Sequence, residues 1–409
     1  MIYEEAKKIS GELIELRREF HKIPELEACE FKTSELICKK LDEMGIPYKK
    51  CYGTGIVADI KGKKGNGKTL LLRADMDALP MEEKTDVSFK STHKGCMHAC
   101  GHDVHMTALL GACKLLMLTG CDFYGNVKAV FQPAEEGDGG AEPMIREGVM
   151  NSPIVDSAIA LHVEPLASYN TLQYRNGSIM ASPDDFKIIV KGKGGHGACP
   201  EKCINPIYAA AELVKSLSNV VSDNFPNPDV CVVSVCTING GTMNNIIPDT
   251  VEITGTARSL DIETRKKIEI LIENSIRKSC KESGCTYEYH FRKLYPPVIN
   301  DKKMNEIVIN AAKKLGCFEK IEELEKASMT GDDFSYFSQL VPSSYIKLGA
   351  GNDKINKPLH SSEFDVDERC ICRGAAVLAQ SALDYLNGES VLKLYSPGNN
   401  ACLFTVRRF

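Results

Sequence analysis

Short apolar runs at residues 56–60, 69–73, 127–131 and 157–161 alternate with helical patterns, and this alternation narrows the possible folds most. A strand without a polar face needs cover on both sides. That is the situation of a largely parallel sheet held between layers of helices. Helical spacing of apolar residues marks 3–21, 31–44 and 104–118, the second closed by Gly45 and the third ending at Gly120. The predicted class is α/β, a mixed and largely parallel sheet with helices on both faces.

The character changes at Ala181-Ser182-Pro183. Beyond it the patterns predict a strand over 185–191, a helix over 206–217, strands over 230–238 and 250–257, a helix over 262–279 and a strand over 287–291. The order β-α-β-β-α-β is that of a small two-layer α+β unit. Pro296-Pro297 marks its end, after which a strand over 345–348 and a helix over 366–386 are expected. Residues 1–182 and 298–388 should thus form one discontinuous domain, with 183–297 inserted into it. Residues 389–409 form a tail without a clear pattern. A chain of 409 residues suits two to three domains at roughly 150 residues each.

Composition excludes some partners. Lys plus Arg number 50 against 55 Asp plus Glu, a net charge of −5, whereas nucleic-acid and membrane-surface proteins usually carry a basic excess. The most apolar stretch, 108–118, is interrupted by Lys114 and too short to span a bilayer. At the N-terminus Ile9, Leu13, Leu16 and Phe20 form a helical stripe among charges, unlike a signal peptide. The 17 cysteines are odd in number and contain no CxxC; Cys370 and Cys372 form only a CxC. They read as small buried hydrophobes in a reducing compartment, so a cytoplasmic location is expected.

The chemistry gathers in a few places. Four of the nine histidines, His93, His98, His102 and His105, fall within 93–105, around Met97-His-Ala-Cys-Gly-His-Asp-Val-His105. Thiolate, imidazole and carboxylate are the side chains that hold zinc, manganese and similar ions, which makes Cys100, His102 and Asp103 metal candidates with their flanking histidines. Phe131-Gln-Pro-Ala-Glu-Glu-Gly137 follows the strand over 127–131. In a loop at a strand end, one glutamate can bind metal while its neighbour serves as a base beside it. His162 follows the run 157–161, and His360 lies in Pro358-Leu-His-Ser361 after the strand over 345–348. Both fit the carboxyl-end placement of sites in open α/β sheets. Asp75 and Asp77 end another strand, where they could orient ligand histidines. A competing motif, Gly192-Lys-Gly-Gly-His-Gly197, matches the dinucleotide fingerprint GxGxxG, but Glu212 falls in a predicted helix where that fold needs an acid ending a strand.

Together these residues resemble the M20 family of metallopeptidases, in particular its amidohydrolase branch, over about residues 10–385. The matching stretches include Arg17-Arg-Glu-Phe-His-Lys-Ile-Pro-Glu25, Arg73-Ala-Asp-Met-Asp-Ala-Leu-Pro80, the two motifs just quoted around Cys100 and Glu135, and Gly194-Gly-His-Gly-Ala198. Asn245-Ile-Ile-Pro248, Gly255-Thr-Ala-Arg258, Ser328-Met-Thr330 with Asp333-Phe-Ser335, and Pro358-Leu-His360 complete them.

The resemblance implies two divalent metal ions per subunit, zinc or manganese first, with cobalt or nickel also suited. Their ligands would be Cys100, His102, Glu136, His162 and His360, with Cys100 bridging and Glu135 as general base. It makes 183–297 a lid and dimerisation domain of a homodimer or tetramer. From it His196 would act at the transition state in the partner subunit's site, with Asn245 and Arg258 near the substrate carboxylate. Glu201, Asn205 and Asp332 stand where the family often has His, Asp and Glu, departures that bear on substrate preference. The expected activity is hydrolysis of the amide bond of small N-acyl amino acids. The alternatives are a dipeptidase, which needs a group for the substrate's ammonium, and a silent binding protein, which has no need of Glu135.

Overall fold

The computed structural model describes residues 2–388; the tail at 389–409 lies outside the described residues. Helices α1 (Ile2–Lys8) and α2 (Ser10–Lys22) replace the single helix expected over 3–21. The break falls at Ile9, beside the weak helix formers Ser10 and Gly11. Then follow α3 (Phe31–Glu43), β1 (Tyr48–Lys50), β2 (Ile56–Lys61), β3 (Thr69–Asp75), α4 (His102–Leu118), β4 (Asn126–Gln132), α5 (Ala141–Arg146), β5 (Ser157–Ser168), β6 (Thr171–Tyr174) and β7 (Gly177–Met180). The next stretch contains β8 (Ser182–Lys191), β9 (Gly195–His196), α6 (Pro206–Asn224), β10 (Cys231–Asn239), β11 (Ile246–Ile247), β12 (Thr250–Ser259), α7 (Ile262–Ser283) and β13 (Thr286–Lys293). The chain closes with β14 (Val298–Asn300), α8 (Lys302–Leu315), β15 (Lys320–Glu323), α9 (Ser335–Leu340), β16 (Ser343–Gly351) and α10 (Arg369–Leu386).

The large sheet has the order β1-β2-β4-β3-β5-β16-β6-β15. Its centre, β4-β3-β5-β16, is parallel throughout, and antiparallel pairs appear only towards its edges. The apolar runs explain this arrangement. In β3, Leu70, Leu72 and Ala74 face a core shared with α2, α4 and α10, while Leu71 faces a second core beneath α5 and α9. Both faces are covered, as an all-apolar strand requires. Helices α4 and α10 meet where side chains are smallest. A Cβ on Gly111 would lie 2.8 Å from Ala375 Cβ, so larger residues there would push the helices apart.

A second sheet, β10-β12-β8-β13, is antiparallel, with α6 and α7 packed on one face through Ile188, Leu213, Ile253 and Ile272. It realises the split β-α-β arrangement. The GxGxxG segment is not a strand-to-helix turn of a parallel sheet. It leaves β8 for a loop tied by backbone bonds from Gly192 to Asp249 and between Lys193 and Ile204, and Glu212 sits within α6. That removes the structural context a dinucleotide fingerprint needs.

Candidate dinuclear metal site

The polar side chains of interest collect where the parallel strands end. Strand β3 runs out through Asp75 to Asp77, and β4 ends at Gln132 just before Pro133-Ala134-Glu135-Glu136. Helix α4 begins at His102, two residues earlier than its periodicity suggested, so His102 and Asp103 lie in its first turn. Its N-cap Gly101 has φ +86, and a Cβ there would fall 2.4 Å from Val163 Cγ2. Only glycine lets the Cys100 loop approach β5 this closely. His162 does not follow its strand: β5 continues to Ser168, and His162 pairs with Lys347 of β16 inside the sheet. His360 sits in a left-handed conformation, φ +61, tied by its N–H to the Ala99 carbonyl at 2.9 Å.

These elements bring six side chains together. Cys100 Sγ lies 3.4 Å from His162 Nε2, and His360 Nε2 lies 3.2 Å from Glu136 Oε1. His102 Nε2 is 3.9 Å from both Glu135 Oε2 and Glu136 Oε1. Among the described residues five groupings of such side chains have all donor atoms within 4.8 Å of one another, and two of them contain a thiol: Cys100 with His102 and His162, and Cys100 with Glu136 and His360. Cys100 belongs to both. His102 Nε2 is buried without a hydrogen-bond partner, and Glu136 Oε1 is buried with only the His360 ring beside it. Buried polar atoms left so are costly unless something else satisfies them. Convergent S, N and O donors with orphaned lone pairs fit divalent cations of the zinc and manganese type.

The surrounding groups fix which atoms face inward. The Asp77 backbone carbonyl lies 2.8 Å from His102 Nδ1, and the Val163 carbonyl 2.7 Å from His162 Nδ1, leaving both Nε2 atoms turned to the cluster. The Asp77 carboxylate does something else: it accepts the N–H groups of Glu135 and Glu136 at 3.0 and 2.9 Å. Asp75 holds His105 at 2.6 Å and also lies 3.7 Å from His102 Nε2, and His105 Nε2 in turn accepts the Val163 N–H at 2.9 Å. His105 is therefore a strut between β3 and β5. Asp103 also leaves the candidate set. It is held by Arg17 at 2.7 Å and His21 at 2.7 Å in a buried network that anchors α4 to α2. His98 is buried with neither ring nitrogen bonded, and burial lowers it to about 3. His93 turns to the Pro24 carbonyl at 2.6 Å. Sequence reasoning missed Arg73, fully buried and paired with Asp75, Asp332 and Asp333 at 2.6, 3.1 and 2.9 Å.

Electrostatics agree with a site built for cations. Burial, then Glu136 and Glu135, push the Cys100 thiol well above its usual range. Burial, then Asp332 and Glu136, do the same to Glu135. A divalent cation acts in the opposite direction on both and makes a coordinating thiol a thiolate. Burial opposes charge on His102, but Asp75, Asp77 and Glu136 outweigh it and raise the imidazole to about 10. A cation among these acids would relieve that excess of negative charge.

The remaining residues of interest lie on the second sheet's unit. His196 in β9 pairs with Ile246 in β11, and the Gly197 N–H reaches the Asn245 carbonyl at 2.8 Å, so His196 and Asn245 are neighbours. Both are exposed, and His196 joins none of the donor groupings. Arg258 sits half-buried on β12, opposite Pro183 and Val232.

Comparison with known proteins gives this geometry a context. Residues 71–384 match the model of peptidase family M20/M25/M40. The thermostable carboxypeptidase 1 of Saccharolobus solfataricus is 39% identical over 390 residues, covering 94% of this chain and 98% of that protein. The N-acetyl-L-cysteine deacetylase of Bacillus subtilis is 36% identical over 388 residues, covering 94% and 91%. A crystal structure from Bacillus subtilis, described as a dinuclear metal binding peptidase from M20 family, superposes with a TM-score of 0.83 at 31% identity, covering 93% of this chain and 99% of that one.

Proposed function

This chain belongs to peptidase family M20/M25/M40 and is a hydrolase of amide bonds with a dinuclear metal site, and we propose that its substrates are N-acyl amino acids. The observation that carries the reading is the pair of donor groupings sharing Cys100, with Glu135 beside both. Cys100, His102 and His162 would hold one ion, and Cys100, Glu136 and His360 the other. Zinc or manganese suits this mixed set best, with cobalt or nickel also accommodated. Two such ions supply Lewis acidity, acidifying water and polarising the amide carbonyl.

The chain's own groups do the rest. Glu135 takes the proton from the attacking water and later delivers it to the departing amine. Asp77 holds the Glu135 and Glu136 amides, so the base keeps its position while its side chain exchanges protons. Residues 1–182 and 298–388 form the catalytic domain, and 183–297 the lid and dimerisation domain. In a homodimer His196 donates to the developing oxyanion in the partner's site, and Asn245 and Arg258 receive the substrate carboxylate. The setting of His196 favours this. It is exposed, and Met243 and Ile246, respectively 61% and 52% exposed, lie on the adjoining segment. Apolar side chains in that position suit cover by a second copy.

Among the described residues no helix is long and apolar enough to cross a membrane. The abundance of cysteine in so large a chain supports a reducing, cytoplasmic setting.

Both a carboxypeptidase and an N-acetyl amino acid deacetylase release an amino acid whose carboxylate is free, and this shared chemistry supports the substrate class. Turnover of acetyl-, benzoyl- and dipeptidyl-amino acids with added Mn²⁺ or Zn²⁺ tests it. Acetyl or benzoyl substrates should exceed free dipeptides by about tenfold or more in kcat/KM, because a site without a partner for the ammonium rejects it. Preference for dipeptides would replace the proposal with a dipeptidase, and no turnover of any of them would replace it with a silent binding protein.

A further inference from the structure

Glu30 is the last residue before α3, far in sequence from the acids described above, and its side chain is fully buried. One carboxylate oxygen accepts the N–H groups of Ala28 at 3.0 Å and Ala134 at 2.9 Å, and the other accepts the Thr54 hydroxyl at 2.6 Å. Ala134 immediately precedes Glu135 and has φ +56, a left-handed conformation that a side chain other than glycine seldom adopts. Such a conformation persists only where its surroundings impose it. The next two amides, of Glu135 and Glu136, end on the Asp77 carboxylate. Three consecutive N–H groups of the turn are thus each taken by a carboxylate oxygen, two from the end of β3 and one from the N-terminal segment. Gly139 N–H closes the same turn on the Ala134 carbonyl at 3.0 Å.

We propose that Glu30 is a positioning residue for the hydrolytic reaction: by holding the Ala134 amide it fixes the left-handed turn that aims the Glu135 carboxylate into the site. The proposal rests on Glu135 acting as the base. Glu30 belongs to none of the donor groupings and is bonded to Ala28, Thr54 and Ala134, so its effect should reach the reaction through the direction of the Glu135 side chain. What the turn needs from it is an acceptor oxygen at the right reach, not a negative charge. Glutamine keeps that oxygen for Ala28 and Ala134, and its amide can donate to Thr54 Oγ. Aspartate keeps the charge but falls one methylene short.

The test compares Glu30→Gln, Glu30→Asp and Glu30→Ala, each alone and in a Glu135→Gln background, by kcat, KM and metal content. Glu30→Gln should keep kcat within about threefold. Glu30→Asp and Glu30→Ala should lower kcat by about ten- to a hundredfold, the penalty of misplacing a reacting group by about an ångström. KM should stay within about threefold, with metal content unchanged. In the Glu135→Gln background the Glu30→Asp loss should shrink to about threefold or less, since the group it positions is already gone. Where Glu30→Ala does not fold, the aspartate and glutamine variants carry the comparison. Wild-type kcat in Glu30→Asp, equal damage from Gln and Asp, metal lost in parallel, or an undiminished factor in the Glu135→Gln background would each overturn the proposal. Failure of the underlying reading shows separately, as full activity in Glu135→Gln alone.

Discussion

Glu135→Gln is expected to lower kcat by about a hundredfold or more, the usual contribution of a positioned base, with metal content near that of the wild type. Glutamine fills the same volume and cannot accept the proton. The turn should survive the change because its hold is on the backbone, through Asp77 and Glu30, and not on the Glu135 side chain. Steady-state kinetics with metal analysis checks the result; a variant that loses metal would mean that Glu135 and Glu136 have exchanged roles. The same variant tests the partner's contribution. His196→Ala should also be inactive, since losing one donor to the oxyanion costs about a hundredfold or more. When the two inactive proteins are mixed and exchange subunits, a His196 acting across the dimer gives each heterodimer one site lacking both groups and one intact site. Activity should then reappear. A mixture that stays inactive after demonstrated exchange removes the assignment across the dimer.

Arg73→Met should cost about 3–5 kcal/mol of stability, the penalty of breaking a buried ion pair by removing one partner. The guanidinium is 1% exposed and holds Asp75, Asp332 and Asp333, with Gln132 also on its Nε at 2.9 Å. Burial disfavours its charge, yet Asp332, Asp75 and Asp333 raise it well above the ordinary arginine range. Methionine fills much of the space but takes the guanidinium from the buried Asp332 and Asp333, while Asp75 keeps His105 at 2.6 Å. The sign of the pH dependence follows. Burial already pushes Asp333 up to about 7 although Arg73 opposes the rise, so removing Arg73 raises it further; the folded variant then holds a proton there that the unfolded chain gives up, and the deficit eases as pH falls. Urea midpoints should therefore differ more between wild type and variant at pH 8 than at pH 5.5. An unchanged midpoint at pH 8 would contradict the account of this network.

The central strands were legible in sequence because burial on both faces made them continuous apolar runs, as in β3 and β4. Edge strands such as β15, Lys-Ile-Glu-Glu, carry no such signal, and β6 and β7 are only four residues long. The end of β5 was misplaced because the run 157–161 stops being uniformly apolar at His162, while the strand continues for pairing with β16. The donor cluster could be read as a concentration of residue types, but not as a geometry. His98, His102 and His105 look alike along the chain. They are told apart by what lies opposite each: nothing polar for His98, the Asp77 carbonyl for His102, and Asp75 for His105. Asp103 likewise looks like a ligand until Arg17 and His21 are seen to hold it. Arg73 meets Asp332 and Asp333, and Glu30 meets Ala134, across separations that no local pattern encodes.

The sharing of Cys100 between two ions is the centre of this account, and metal stoichiometry in single variants tests it most directly. Each protein is equilibrated with the same excess of Mn²⁺ or Zn²⁺, dialysed and analysed for metal per chain. The account predicts about two ions in the wild type and about one in either His162→Ala or His360→Ala, since each of these ligates a single ion. Cys100→Ala should retain close to none, because both groupings lose a ligand together. Two ions retained in Cys100→Ala, or both lost in His162→Ala and His360→Ala alike, would contradict the shared-thiolate arrangement.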